Sequence, residues 1–330
     1  MSQRNLVERL ELADLGCPVH PWADLGPRTW YGVGGPAEVL AHPASVAQLS
    51  ELAGRCHAQG VPLRVLGGGA NLLVASQGVP GVVVLLDDPA WRRIDLDRDT
   101  GRAIVGPGVD LFRLTPDLAK AGLDGLAQLA GIPGTVGGAV RMNAGGAYGD
   151  IGSAVARVAV LSDAGQSYAR DRDDLDFGYR RSNILAPVIL ETEFELEPTD
   201  PALVMRRVKE IWLHKKNSQP MSDRSAGCCF KNPDPELQPA AQGRPAGMLI
   251  DRAGLKGLRI GAAHVSGVHA NFISLDKGAA SVDDVLAVMD RVEAQVLEKF
   301  GVRLEREIVV WPGPGESPQG APAPSAEASA

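Results

Sequence analysis

The sequence predicts an α+β protein of more than one domain, on three observations. Its 330 residues exceed what a single hydrophobic core usually serves, so two or three domains are expected. Apolar or alternating runs such as 82–86 and 188–197 carry the patterns of covered and half-covered strands. Among them lie capped stretches with helical spacing, of which 281–300 is the clearest.

In chain order, residues 1–15 mix acidic, basic and leucine side chains as an amphipathic helix would, with no apolar run of signal-peptide type. Residues 39–41 read as a short strand, and Ser45 followed by Gln48 is a capping box opening a helix that ends near Gly60. Strands at 62–66 and 82–86 complete a small βαββ unit. Residues 94–105 give two short strands around an Asp-rich turn. The stretch 108–122 is helical but contains Pro116; proline suits a first helical turn, so the helix is expected to start at Thr115 or bend there.

Strands follow at 158–162, 166–169 and 188–197, the first two joined by the turn Asp163-Ala164-Gly165. Residues 202–216 form a helix with Met205, Val208 and Trp212 at helical spacing, linking the middle region to the last. The 281–300 helix starts at Ser281 with Asp284, buries Val285, Met289, Val292 and Val296, and ends at Gly301. A closing strand is expected at 303–311. Residues 312–330 are almost all Pro, Gly, Ala, Ser, Gln and Glu, which cannot bury enough apolar surface to offset ordering, and read as a disordered tail.

Composition excludes several classes. A net charge of −7 with 22% charged residues gives no electrostatic case for nucleic acid or an anionic membrane. No apolar run reaches the length of a membrane span, so a cytoplasmic location is expected. Cys17, Cys56, Cys228 and Cys229 show no zinc-type spacing and imply no disulfide framework, so reduced thiols and no metal are expected.

Three glycine-rich segments point to a ligand. Gly67-Gly68-Gly69-Ala70-Asn71-Leu72 follows a strand, and its glycines let backbone N–H groups converge on an anion. Alone it also fits a flexible turn, and it matches neither the dinucleotide fingerprint nor the P-loop. A second run, Gly131-Ile132-Pro133-Gly134-Thr135-Val136-Gly137-Gly138, is followed by Asn143-Ala144-Gly145-Gly146. A third, Thr29-Trp30-Tyr31-Gly32-Val33-Gly34-Gly35, lies near the N-terminus. So much glycine implies backbone lying close against a large ligand.

The turn Ala226-Gly227-Cys228-Cys229-Phe230-Lys231-Asn232-Pro233 offers a proton donor, a cation and an amide. Adjacent side chains in extended backbone face opposite ways, so one thiol is packed and the other faces a cleft; the residues alone do not say which.

Together with Phe177-Gly178-Tyr179-Arg180, these motifs resemble the UDP-N-acetylenolpyruvoylglucosamine reductase (MurB) family, in order over roughly residues 20–312. The resemblance implies a two-part FAD-binding region of the vanillyl-alcohol-oxidase (PCMH) type, followed by a C-terminal α+β substrate-binding domain. The expected boundaries are 1–88, 89–200 and 201–311, with the last strand able to return to the FAD-binding region and 312–330 as tail. No histidine lies in the 62–76 region, so the FAD is expected to be non-covalent. Tyr31, Gly67, Gly68, Gly69, Ala70, Asn71, Leu72, Gly131, Ile132, Pro133, Gly134, Thr135, Gly137, Gly138, Asn143 and Gly145 are the residues expected around it.

The implied reaction uses NADPH as hydride donor to reduce an enolpyruvyl UDP-sugar, UDP-N-acetyl-3-O-(1-carboxyvinyl)glucosamine, to UDP-N-acetylmuramate for peptidoglycan synthesis. Charge then develops beside a carboxylate, which calls for a cation and a positioned acid. The resemblance assigns Arg180 to that charge, where a guanidinium binds a carboxylate bidentately. It selects Cys228 as proton donor, a position where serine is common, and leaves Cys229 to packing. Alternation puts Glu305 and Glu307 on one face; the resemblance selects Glu307 to assist. Asn232 is expected at the substrate, and Lys216 or its neighbour Lys215 at the diphosphate. His264 and His269 have no metal-ligand company and are given no catalytic role.

After Asn183 the chain lacks the insertion that carries a tyrosine over the substrate, so it resembles the shorter second type of the family. A monomer is expected. An oxidase of the same fold with another substrate, and a non-catalytic nucleotide-sugar binding protein, are the alternatives.

Overall fold

The computed structural model describes residues 6–278 and 281–316. These fall into two units, one made of residues up to 24, 36–70 and 80–221, the other of 25–35, 71–79 and 222 onward.

The first unit holds a four-stranded and a five-stranded sheet. One runs in the order Val19–Asp24, Pro36–Ala41, Val79–Leu85, Leu63–Leu66. Its last two strands are parallel, Leu63 facing Val82, joined by the crossover 67–78, and the helix Val46–Ala58 links Pro36–Ala41 to Leu63–Leu66. That helix begins as the sequence predicts: the Ser45 hydroxyl accepts from the Gln48 N–H at 3.3 Å. The Gln48 amide oxygen in turn accepts from Ala44 rather than Ser45, at 2.8 Å. Leu49, Leu52, Ala53 and Cys56 are its buried face.

The second sheet is antiparallel, in the order Ser167–Asp171, Val155–Leu161, Val188–Glu195, Arg102–Val105, Ile94–Asp97. Its core includes Val105, Val158, Val160 and Phe194. The helix Leu111–Ala121 starts four residues before Thr115, because the Asp110 carboxylate caps it by accepting from the Phe112 N–H at 2.9 Å. Pro116 therefore sits inside it. Gly122 closes it at φ 71, which a Cβ would strain.

The helix Pro201–Ser218 packs in this first unit through Val204, Val208 and Ile211 against Ala119, Ala127 and Ala130. Its buried stripe is offset from the one expected. Lys215 lies inside, while Trp212 is 38% exposed and carries the Lys216 ammonium 4.9 Å from its ring centre.

The second unit has a three-stranded antiparallel sheet, Arg259–Ile260, Ala263–Val265 and Ile273–Leu275. The helix Val282–Phe300 packs on it with Val285, Met289, Val292 and Val296 buried, Ser281 as its N-cap and Gly301 as its C-cap. The strand Leu72–Val74 runs parallel to Val309–Trp311, Leu72 facing Val309. The expected 303–311 strand is thus regular only at its end.

At the N-terminus a single helix does not form. Leu6–Arg9 and the 3-10 turn Leu12–Leu15 are separated by Glu11 at φ 53. Pro312 and Gly313 are buried and 312–316 is folded, the Gly313 N–H donating to the Glu316 carboxylate at 3.0 Å. Residues 317–330, most of the expected tail, lie outside the described residues. Among the described residues no helix is long and apolar enough to cross a membrane, and all four cysteines are free thiols.

Candidate active site

In the first unit two glycine-rich segments meet. A Cβ on Gly68 would stand 2.9 Å from the Gly134 Cα, and one on Gly67 would stand 2.6 Å from Thr135 Oγ1. Side chains there would push the segments apart. Gly131 and Gly134 have φ of 77° and 119°, conformations that need glycine. Gly67, Gly68 and Gly138 are exposed, and Ile132, Pro133, Gly134, Thr135 and Gly137 are half-buried. Gly69 is buried and Ala70 half-buried beside them. The result is a strip of bare backbone, which fits an elongated anionic cofactor such as FAD, whose phosphates can approach N–H groups directly.

Arg180 sits at the tip of a hairpin in the same unit, where Phe177 pairs with Ser182 and Gly178 with Arg181. Its φ is 56°, a left-handed conformation that costs a non-glycine residue on the order of 1–3 kcal/mol and persists only where its surroundings hold it. Asn143 does so. It is buried, donates from Nδ2 to the Gly178 carbonyl at 2.9 Å and accepts at Oδ1 from the Gly152 N–H at 2.9 Å. Those two bonds make the Asn143 amide part of the scaffold under this hairpin. The Ser182 hydroxyl adds a bond to the Arg141 carbonyl at 2.9 Å, and Arg181 pairs outward with Asp176 at 3.0 Å. Gly145 pairs with Asp150 in a short hairpin next to this scaffold.

Lys215, named with Lys216 as a candidate at the diphosphate, turns inward in this unit. Its ammonium is buried and donates to the carbonyls of Ala130 at 2.7 Å and Gln128 at 3.3 Å, pinning the start of the 131–138 segment. Burial, and after it the nearby Arg180 charge, lowers its pKa to about 8. Lys216, the lysine expected at the diphosphate, is exposed on the other face of the helix over Trp212.

In the second unit the 227–233 turn is built on Gly227 at φ 79°. Cys229 is wholly buried and Cys228 is partly exposed, so backbone alternation resolves which thiol is packed. Burial pushes the Cys229 thiol up to about 12. Its Sγ lies 3.8 Å from the Tyr31 hydroxyl, itself raised well above its ordinary value, first by burial and then by Cys229. Tyr31, expected at the cofactor, is wholly buried.

The same turn is stitched to the chain's C-terminal part. The Glu307 N–H donates to the Cys229 carbonyl at 2.8 Å, and the Lys231 N–H to the Glu305 carbonyl at 2.8 Å. The Glu305 carboxylate pairs with the Lys231 ammonium, and Arg306 pairs with Asp290 and Glu293. Asn71 closes the arrangement: its Nδ2 donates to the Glu307 carbonyl at 3.1 Å, and its own carbonyl accepts from the Val309 N–H at 3.1 Å. Leu72, expected beside the cofactor, is buried and pairs with Val309. The structure thus brings Asn71, Cys228–Cys229 and Glu307 together in this unit. Asn232 Oδ1 accepts from the Ala246 N–H at 3.0 Å, at the start of the helix Ala246–Arg252.

Similarity to known proteins agrees with the sequence motifs. Residues 37–168 match the family described as FAD binding domain. Residues 219–311 match the UDP-N-acetylenolpyruvoylglucosamine reductase, C-terminal domain. A UDP-N-acetylenolpyruvoylglucosamine reductase from Desulfosudis oleivorans is 41% identical over 86% of this chain and 91% of its own. One from Bacillus subtilis is 35% identical over 88% and 92%. The crystal structure of the reductase from Thermus caldophilus superposes with a TM-score of 0.74 at 38% identity, covering 90% of this chain and 100% of that one. With its FAD binding domain followed by that C-terminal domain, the chain belongs to the UDP-N-acetylenolpyruvoylglucosamine reductase family.

Proposed function

We propose that this protein uses NADPH to reduce UDP-N-acetyl-3-O-(1-carboxyvinyl)glucosamine to UDP-N-acetylmuramate, as a cytoplasmic step in peptidoglycan precursor synthesis. The observation that carries the reading is the Glu307 N–H on the Cys229 carbonyl, with Asn71 bonded to Glu307. It joins a residue of a glycine-rich segment, the thiol turn and the glutamate in one network.

Bound FAD supplies the hydride relay between NADPH and the enolpyruvyl double bond. The bare backbone of 67–70 and 131–138 holds its phosphates, with Lys215 fixing the second segment from below. Arg180 pairs with the substrate carboxylate and the charge that grows beside it. Cys228 delivers a proton to the carbon next to that carboxylate: its S–H bond breaks as the C–H bond forms, leaving a thiolate. Glu307 supports this transfer. Asn232 and Lys216 meet the substrate's sugar and diphosphate, as parts of a substrate-binding region that begins near residue 201.

The test is direct. Purified protein should be yellow, and NADPH should be consumed only when the enolpyruvyl UDP-sugar is added. Consumption with other acceptors and none with that sugar would instead support an oxidase. A colourless protein that binds the sugar would support a binding role.

A further inference from the structure

We propose that Asn271 is a positioning residue for proton delivery, acting through its grip on the backbone next to Cys228. The proposal rests on the reading of Cys228 as donor.

Asn271 is 4% exposed and its polar groups face the 228–230 segment. Its Oδ1 accepts from the Phe230 N–H at 3.0 Å, and its Nδ2 donates to the Phe230 carbonyl at 2.8 Å. Its own carbonyl accepts from the Cys229 N–H at 2.8 Å, and its own N–H donates to His269 Nδ1 at 3.2 Å. A side chain that answers both main-chain groups of one residue stands in for a strand partner. Only an amide has a donor and an acceptor at that spacing. The adjacent pairing of Cys228 with Phe272 continues the ladder.

On its other side the segment is held by the main-chain bonds of Glu307 and Lys231 and by the Lys231–Glu305 ion pair. At Gly227 an added Cβ would meet nothing within 4 Å, so no side-chain packing fixes that position itself. The hydrogen bonds on either side of Phe230 hold the backbone from which the Cys228 side chain projects. Phe230 is 1% exposed; without Asn271 its N–H and carbonyl are buried without a partner, which the backbone relieves by moving. A donor displaced by about 1 Å loses on the order of a hundredfold in rate.

The experiment compares the two half-reactions of the full-length holoprotein by stopped-flow absorbance. Asn271→Ala should leave flavin reduction by NADPH within about twofold of the parent. Reoxidation by the enolpyruvyl UDP-sugar should slow by about 10- to 100-fold. In a Cys228→Ala background the same change should cause no further slowing, since residues that act as one unit are not additive. Unchanged reoxidation, or an equal added loss in the Cys228→Ala background, would overturn the proposal.

If Asn271→Ala fails to fold, Asn271→Asp has the same size, keeps the acceptor for the Phe230 N–H and removes the donor to its carbonyl; the same rates decide. Alkylation of Cys228 by iodoacetamide, followed peptide by peptide, needs no turnover. Its rate should change in the variant while that of Cys17 does not, and an unchanged Cys228 rate contradicts the grip. A parent enzyme that never reoxidises with the sugar would overturn the functional reading instead, and the alkylation result would still decide on Asn271.

Discussion

Gly68 lies against Gly134 so closely that a methyl group on the first would stand 2.9 Å from the Cα of the second. Two glycine-rich segments, far apart in sequence, are in this way held as one surface. Overpacking such a contact costs about 1–3 kcal/mol. Gly68→Ala should therefore weaken FAD binding by roughly tenfold or more, read by titrating apoprotein with FAD. Gly267→Ala, where the added carbon meets nothing within 4 Å, should bind FAD as the parent does.

Arg180 holds φ of 56°, and glycine adopts that conformation without strain. Arg180→Gly should keep the fold and gain up to about 1 kcal/mol in urea unfolding, while reoxidation by substrate falls by orders of magnitude. A clear loss of stability in this variant would show that the arginine side chain supports the hairpin rather than the reaction.

Lys215 gives a pH signature. Its folded pKa of about 8 lies below the ordinary 10.5 because of burial. Between those values the unfolded chain holds a proton that the folded chain has released, so this group makes folding more favourable as pH rises. Lys215→Met lacks the effect. The stability of the parent minus that of Lys215→Met should grow by about 2 kcal/mol from pH 7.5 to 9.5. A flat difference would mean that the ammonium is not desolvated.

The four thiols should separate by burial. In native protein at pH 8, iodoacetamide should modify Cys17 and Cys228, while Cys56 and Cys229 stay protected, since burial raises these two to about 11 and about 12. Peptide mass spectrometry reads the order. Modification of Cys229 at the rate of Cys228 would reverse the two assignments.

Much of this was legible in the sequence because it is local. The Ser45 and Ser281 caps, the Gly301 stop and the buried stripe of the long helix depend on spacing within a few residues. The start of the Leu111–Ala121 helix was hidden because Pro116 masked the Asp110 cap. The stripe of the Pro201–Ser218 helix was misaligned because a lysine occupies a core position, where two carbonyls answer it. In the site, the glycine segments and the thiol turn announced themselves by composition, and Arg180 through the resemblance carried by Phe177-Gly178-Tyr179-Arg180. Asn271 did not, since nothing in a sequence tells an asparagine that clamps distant backbone from one on the surface. Glu305 and Glu307 could not be separated by alternation; the Lys231 ammonium takes Glu305, and the backbone seats Glu307 beside Cys229.

The central claim is that Cys228 delivers the proton, and one stopped-flow comparison tests it most directly. Cys228→Ala should be reduced by NADPH as fast as the parent, yet reoxidise with the enolpyruvyl UDP-sugar about 10²- to 10⁴-fold more slowly, the usual worth of a general acid. Cys228→Ser should retain much of the parent's reoxidation rate. Parent-like reoxidation in Cys228→Ala would contradict the account.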